Sequence, residues 1–301
     1  MSIARDLRYG FIARYGAVAR LIVLCGGIYL AMALAAILGL IFVRGGGAAV
    51  MSAYQYLYLP SDLSLLAQRP WTFLTWMFVH DLKGIFHILF NMLWLFWLGR
   101  ILRDFAGDRT VYAAFFYGSL GGSIFYLVVY NLSPYFQEHP GLLMGASAGV
   151  NGIVLAAATL VPDFTLYLLL FGAVRLKWVA FFMVIIDLVS VLGSNPGGMF
   201  AHLGGALMGY LLITLRRNGI DLTQPFKGLG NLGRLQIATR GKGSRKEREP
   251  VMQVAHRGGD GARKGAPSQV EIDRILDKIS AEGYHKLTRE EKQLLEEYSA
   301  K

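Results

Sequence analysis

Four polar side chains, set in an otherwise apolar chain, are of the types that acyl transfer needs. Ser147 lies in "GASAG" (145–149), a G-x-S-x-G pattern that in soluble hydrolases puts a nucleophilic serine on a sharp strand-to-helix turn. A serine hydroxyl attacks only when a neighbouring base removes its proton, and His202, which opens "HLGGALMG", is of the usual base type. His87 and Asn91 are four residues apart and share one face of a helix. Both can donate to a developing oxyanion. The same stretch has a second meaning. Gly145-x-x-x-Gly149 and Gly205-x-x-x-Gly209 are small-xxx-small patterns that let two helices touch. The elements carrying these residues have to decide between a nucleophile and a packing device.

Those elements lie in a membrane. The chain has 301 residues, 54% of them hydrophobic and only 17% charged, against roughly 25% charged in soluble domains. Mean hydropathy is +0.43. Six apolar segments stand out, at 21–43, 84–101, 110–132, 143–161, 176–192 and 201–215. Each is near the ~17–25 residues that cross a bilayer, the last two being short. The patch 166–174 reads as interfacial or as the entry to the fifth segment, since Arg175 and Lys177 interrupt it. The first segment lacks a cleavage site and reads as a retained helix. The predicted fold is an all-α membrane bundle of six transmembrane helices.

Arginine and lysine set the orientation. They mark the N-terminal stretch (Arg5, Arg8, Arg14, Arg20), the second connection (Arg103, Arg109), the fourth (Arg175, Lys177) and the end of the sixth segment (Arg216, Arg217), while 133–143 and 193–200 have none. Both termini are therefore expected on the cytoplasmic side of a cell (inner) membrane. The connection 44–83, with "AYQYLYLP" and "PWTFLTWMF", is expected outside at headgroup level. Segments two, four and six then run inward. His87, Asn91, Ser147 and His202 all fall near outer helix ends, at one shallow depth. If segment four packs on segment six through its glycines, Ser147 comes within reach of His202. Backbone N–H groups at the start of the serine's helix add oxyanion donors.

The remaining polar groups have plainer readings. Asn151, one turn after Ser147, reads as structural, and Asp187 as bonded to a neighbouring helix or to backbone and too deep to complete a Ser–His pair. His80 reads as a loop contact or surface residue, and His139, His256 and His285 as exposed. The histidines lack the H-E-x-x-H spacing of zinc peptidases, so neither metal nor cofactor is expected. The single cysteine, Cys25, reads as a buried thiol.

A net charge of +10 and a pI near 9.7 resemble a nucleic-acid signal. Many of the basic residues, however, follow position 215 and most others flank apolar runs, which topology and anionic lipid explain first. No nucleic acid is expected. Residues 1–217 read as the transmembrane domain, 218–267 as a basic flexible linker able to lie on anionic lipid, and 268–301 as a small cytosolic helical hairpin. Its signs are capping boxes at Ser268–Glu271 and Thr288–Glu291 with apolar residues at helical spacing between and after them.

Taken together, "HILFNMLWLFWLG" (87–99), "GASAG" (145–149) and "AHLGGALMG" (201–209) resemble the rhomboid family of intramembrane serine proteases, over roughly 60–215. The hairpin resembles a cytosolic appendage of some bacterial members. The resemblance implies Ser147 as nucleophile, His202 as base in a dyad without an aspartate, and His87 and Asn91 as oxyanion donors. It implies Gly145 as the glycine two before the serine, Gly205 and Gly209 as the packing glycines after the histidine, His80 as an upstream loop histidine, 44–83 as an embedded first loop and "SNPGGMF" (194–200) as a flexible cap over the site. Two positions depart from the pattern. Ala148 replaces a common glycine, and Asn151 replaces an aromatic or bulky apolar residue that packs on the histidine.

The expected function is cleavage of transmembrane segments of membrane proteins near the outer face. The alternatives are a non-proteolytic relative that binds transmembrane clients, which Asn151 favours, and a small transporter built on Asp187 and the histidines.

Overall fold

The computed structural model describes residues 7–168, 172–229, 274–275, 278–279 and 286–299. The chain divides into two compact units, Met1–Ser244 and Arg245–Lys301.

In the first unit, α1 (Ala13–Phe42) is broken near its start at Gly16, whose φ is +54°. A side chain there would be strained, and it would run into the Arg103–Asp108 pair, whose Nε–Oδ1 distance is 2.6 Å. Arg103 also donates to the Arg14 carbonyl, so the break is held by charge. Among the described residues, four helices are long and apolar enough to cross a membrane. They are α1 with the turn before it, α5 (Ile85–Ala106), α6 (Asp108–Leu132) and α10 (Pro196–Arg217). Two shorter apolar helices complete an all-α membrane bundle: α8 (Ser147–Leu160), of 14 residues, and α9 (Leu176–Ser190), of 15.

The connection between α1 and α5 is built rather than loose. It holds α2 (Gly46–Gln55), the short strand β1 (Leu59–Pro60), α3 (Leu63–Gln68), α4 (Thr72–Thr75) and a 3-10 turn at Trp76–Phe78. Asp62 caps α3 by accepting from the Ser64 and Leu65 N–H groups. β1 pairs antiparallel with β2 (Leu142–Leu143), on the far side of α7 (Pro134–Glu138). Trp76, Met77 and His80 are fully buried, so this connection descends into the bundle.

The centre is a seam of small residues. Facing α8, Gly118 and Gly122 on α6 lie against Ala148 and Gly152, while Gly205 and Gly209 on α10 lie against the carbonyls of Ala148 and Gly152. A methyl group on either α10 glycine would overlap backbone, which cannot give way. This corrects one expectation. Gly149 does not face α10: a methyl there would stand 2.7 Å from Ser119 Oγ and 2.8 Å from Phe115, both on α6. Ala148 and Gly152 meet α10 instead, one residue before Gly149 and three after it. Spacing identifies a face of small residues but not the helix it meets.

Three further expectations change. The patch 166–174 is not the entry to a helix: its described residues belong to paired strands, β3 (Thr165–Leu168) with β4 (Gly172–Arg175), Leu166 opposite Val174. "SNPGGMF" is largely the first turn of α10: Asn195 caps it by accepting from the Gly198 N–H, Pro196 begins it, and Gly197 and Gly198 are buried. Residues 218–229, read as the start of a linker, are held against α6. Tyr117 donates to the Leu222 carbonyl, and Phe226 stacks on Phe116. The rest of that stretch, and the Ser268–Glu271 box, lie outside the described residues.

In the second unit, the Thr288–Glu291 box is formed. Glu291 N–H donates to Thr288 Oγ1 at 3.2 Å, and Thr288 N–H to Glu291 Oε2 at 2.8 Å, at the start of α11 (Arg289–Ser299). Lys278 adds a 2.9 Å pair to Glu291, and Ile275 and Leu287 are buried.

Gly205→Val forces apart two backbones and should destabilise by at least about 1–3 kcal/mol. A lowered thermal or denaturant midpoint in micelles would register it. Gly27→Ala, which meets nothing within 4 Å, should leave the midpoint unchanged. Thr288→Ala removes a cap worth about 1 kcal/mol, so α11 amides should exchange hydrogen about fivefold faster.

Candidate functional site

Ser147 is the first residue of α8. Gly145, two residues before it, has φ +118°, a region L side chains rarely adopt. Its N–H donates to the Trp76 carbonyl at 3.1 Å. The Ala146 N–H points at His80 Nε2 at 3.4 Å. The buried connection thus holds the turn that delivers the serine. The first bond closing α8 runs from Val150 N–H to the Ala146 carbonyl. The N–H groups of Ser147, Ala148 and Gly149 precede that bond, as helix N-termini require, and the helix dipole favours negative charge beside them.

Across Gly145 lies His87. A methyl on Gly145 would stand 3.0 Å from His87 Nε2 and 3.6 Å from Ser147 Oγ, so imidazole edge and hydroxyl flank the same glycine. Asn91 is nearly buried, one turn along α5, and donates one amide hydrogen to the His87 carbonyl at 2.8 Å. Among the described residues Ser147 Oγ makes no hydrogen bond.

His202 sits in α10, and the seam sets its height. Gly122 lies against both Ala148, next to Ser147, and the Ala201 carbonyl, next to His202. His202 and His87 are electrostatic neighbours. The largest departure from expectation is at Asp187. Its Oδ1 lies 2.8 Å from His202 Nδ1, and its Oδ2 accepts from Asn151 Nδ2 at 2.8 Å. It does bond neighbouring helices, as expected of a buried carboxylate. It is not too deep for His202, because α10 begins at Pro196 rather than near 201 and carries the histidine down to it. The dyad without an aspartate is therefore not what the side chains form around His202. Asn151 is engaged with Asp187, which explains an amide at a position where the resemblance implies a bulky apolar group.

His80 was expected to be a loop contact or a surface residue. It is fully buried, donates its backbone N–H to Tyr54 Oη at 3.1 Å, and packs edge-on to His87 with ring centroids 5.3 Å apart. Burial, helped by the neighbouring His87, pushes its pKa down to about 3. It is thus the neutral acceptor the Ala146 N–H requires. His139 is exposed, and Cys25 is a buried free thiol. Among the described residues no cluster of three metal-ligating side chains occurs.

Residues 67–218 match the rhomboid domain family, and residues 263–301 match a family of unknown function, DUF6576. RHOMBOID-like protein 12, mitochondrial, of Arabidopsis thaliana is 29% identical over 202 residues, covering 61% of this chain and 59% of that protein. RHOMBOID-like protein 1 of the same plant is 30% identical over 155 residues, covering 50% of this chain and 36% of that protein. The chain thus spans less than two thirds of the length of either relative.

His80 generates a pH prediction. Its folded pKa, about 3, lies below the unfolded value of about 6.5, so its contribution is full above pH ~6.5 and is lost as pH falls toward 3. His80→Phe should lower stability near neutrality by about 1–3 kcal/mol by stranding the Ala146 N–H. It should also remove up to about one proton, ~1.4 kcal/mol per pH unit, from the acid slope. Wild-type and variant thermal midpoints should converge on acidification.

Proposed function

The chain belongs to the rhomboid family, and from that membership we propose that it is an intramembrane serine endopeptidase. The observation that carries the proposal is the placement of Ser147 on a free helix N-terminus, with His87 against the same glycine. His202 takes the proton of Ser147 Oγ on Nε2, and Oγ attacks a peptide carbonyl of the substrate. Negative charge moves to the carbonyl oxygen, which accepts from the N–H groups at the start of α8, with His87 and Asn91 as further donors. The tetrahedral species collapses, the C–N bond breaks, and the leaving amine takes the proton from His202. Water, deprotonated by the same histidine, then hydrolyses the acyl-enzyme and releases Ser147.

The substrates are transmembrane segments of membrane proteins, cut near the outer face of a cell membrane with both termini of this chain cytoplasmic. A helix hides its carbonyls in its own hydrogen bonds, so the segment must unwind and helix-weakening residues are expected; membership of the rhomboid family implies a small residue before the cut. The basic stretch after α10 lies against anionic lipid in this reading. Asn151 was the one feature favouring a client-binding, non-proteolytic relative. Engaged with the partner of His202, it supports the enzymatic reading instead.

Reconstituted Ser147→Ala should lose cleavage of a transmembrane reporter, by about 10³-fold or more, and should lose fluorophosphonate labelling. Undiminished cleavage by this variant would end the nucleophile assignment.

A further inference from the structure

We propose that Asp187 is the positioning residue of His202, with Asn151 as its clamp, so that the working unit is a Ser147–His202–Asp187 line rather than a dyad. The kinetic consequences rest on the endopeptidase reading, whereas the tautomer consequence does not. A carboxylate can only accept hydrogen bonds. At 2.8 Å from Asp187 Oδ1, His202 Nδ1 therefore carries the proton, which leaves the lone pair on Nε2. That is the tautomer a general base needs, and the bond to the other nitrogen selects it.

Burial makes the arrangement specific. Asp187 is 7% exposed, and a carboxylate taken from water must have its oxygens paired. His202 takes one oxygen and Asn151 the other. Asn151 is four residues after Ser147, on the same face of α8. One helix thus presents both the nucleophile and the group that fixes the carboxylate. Two further helices supply Asp187 and His202. An apolar group at 151 would leave Oδ2 without a donor, so the residues at 151 and 187 are functional complements.

The protons balance without involving the carboxylate as an acid. When Nε2 takes the Ser147 proton, the ring becomes an imidazolium, and the ionised Asp187 beside Nδ1–H stabilises that charge. The proton then leaves from Nε2 to the amine, and the ring returns to its Nδ1–H form. Every proton transfer runs through Nε2, and Asp187 only accepts the Nδ1–H bond. It is also one of only three buried residues of α9, with Leu176 and Ala180. The orientation of His202 therefore depends on α9 lying against α8 and α10.

The test uses the full chain reconstituted in bilayers, with folding checked by thermal transition. Asp187→Ala removes the acceptor. Asp187→Asn keeps the shape and guards against loss of fold. With a transmembrane reporter, both should lower kcat by about 10³–10⁴-fold with KM little changed, and Asn151→Ala should lower kcat by about tenfold. In ¹⁵N-histidine NMR, His202 should carry the Nδ1–H signature in wild type and lose it in Asp187→Ala. A folded Asp187→Ala with near-wild-type kcat, or with its Nδ1–H signature intact, would overturn the proposal. Wild-type cleavage matched by Ser147→Ala would instead sink the endopeptidase reading, and the NMR signature alone would then judge Asp187.

Discussion

Everything at the site depends on how closely three helices approach. α6, α8 and α10 meet through Gly118, Gly122, Ala148, Gly152, Gly205 and Gly209, with α10 glycines lying on α8 carbonyls. In a bilayer no hydrophobic gain separates helix from lipid, so close packing and polar contacts must hold helices together. The seam provides the packing. It also acts as a ruler, because backbones in direct contact leave little freedom to slide. Ser147 adjoins Ala148 of that seam and His202 adjoins Ala201, whose carbonyl meets Gly122, so the same contact that holds the bundle sets the level of Ser147 against that of His202.

A second constraint comes from the connection before α5. It is buried where a connection would normally stay on the surface, and its polar groups have to find partners inside. They find them on the turn leading to Ser147: the Trp76 carbonyl on Gly145 N–H, and His80 on Ala146 N–H. Trp76 itself donates to Ser123 on α6 at 2.9 Å. Glycine adopts φ +118° without the penalty a Cβ would bring, but its freedom means that the surroundings must determine that one conformation. Here the buried connection on one side and His87 on the other provide that determination. The serine therefore stands on a helix that begins inside the bundle, after a turn held by hydrogen bonds. This differs from the strand-to-helix elbow that G-x-S-x-G denotes in soluble hydrolases.

The legible part of the sequence was whatever follows from local periodicity. Apolar length gave the helices, i, i+4 spacing put His87 with Asn91, and the Thr288–Glu291 box marked α11 to the residue. What stayed hidden depended on partners and on depth. The face containing Gly149 was visible, but its meeting with Phe115 and Ser119 was not, since small residues lie on several sides of α8. The hairpin at 165–175 was masked because a short apolar run has the same composition in a strand as at a membrane interface. Distance along an apolar span at 176–192 places Asp187 too deep to complete a Ser–His pair. What brings it within reach of His202 is where α10 begins, and the Asn195 cap and Pro196 mark that start in the sequence.

The reach of Asp187 to His202 gives Asn151 its chemical logic. Read alone, an amide one turn after the serine looked like a weakened support for the histidine. Read with Asp187, it is what makes a buried carboxylate tolerable there. A charge at that depth with one donor would leave an oxygen unpaired in an apolar interior, and the folded bundle would favour expelling or neutralising it. With two donors both of its oxygens are paired, and it still holds the imidazole. An apolar residue at 151 suits a site whose histidine is supported by packing, and an amide suits one whose histidine is supported by a carboxylate. The two solutions exclude each other at this position, so the residue four after the serine indicates how the histidine is held.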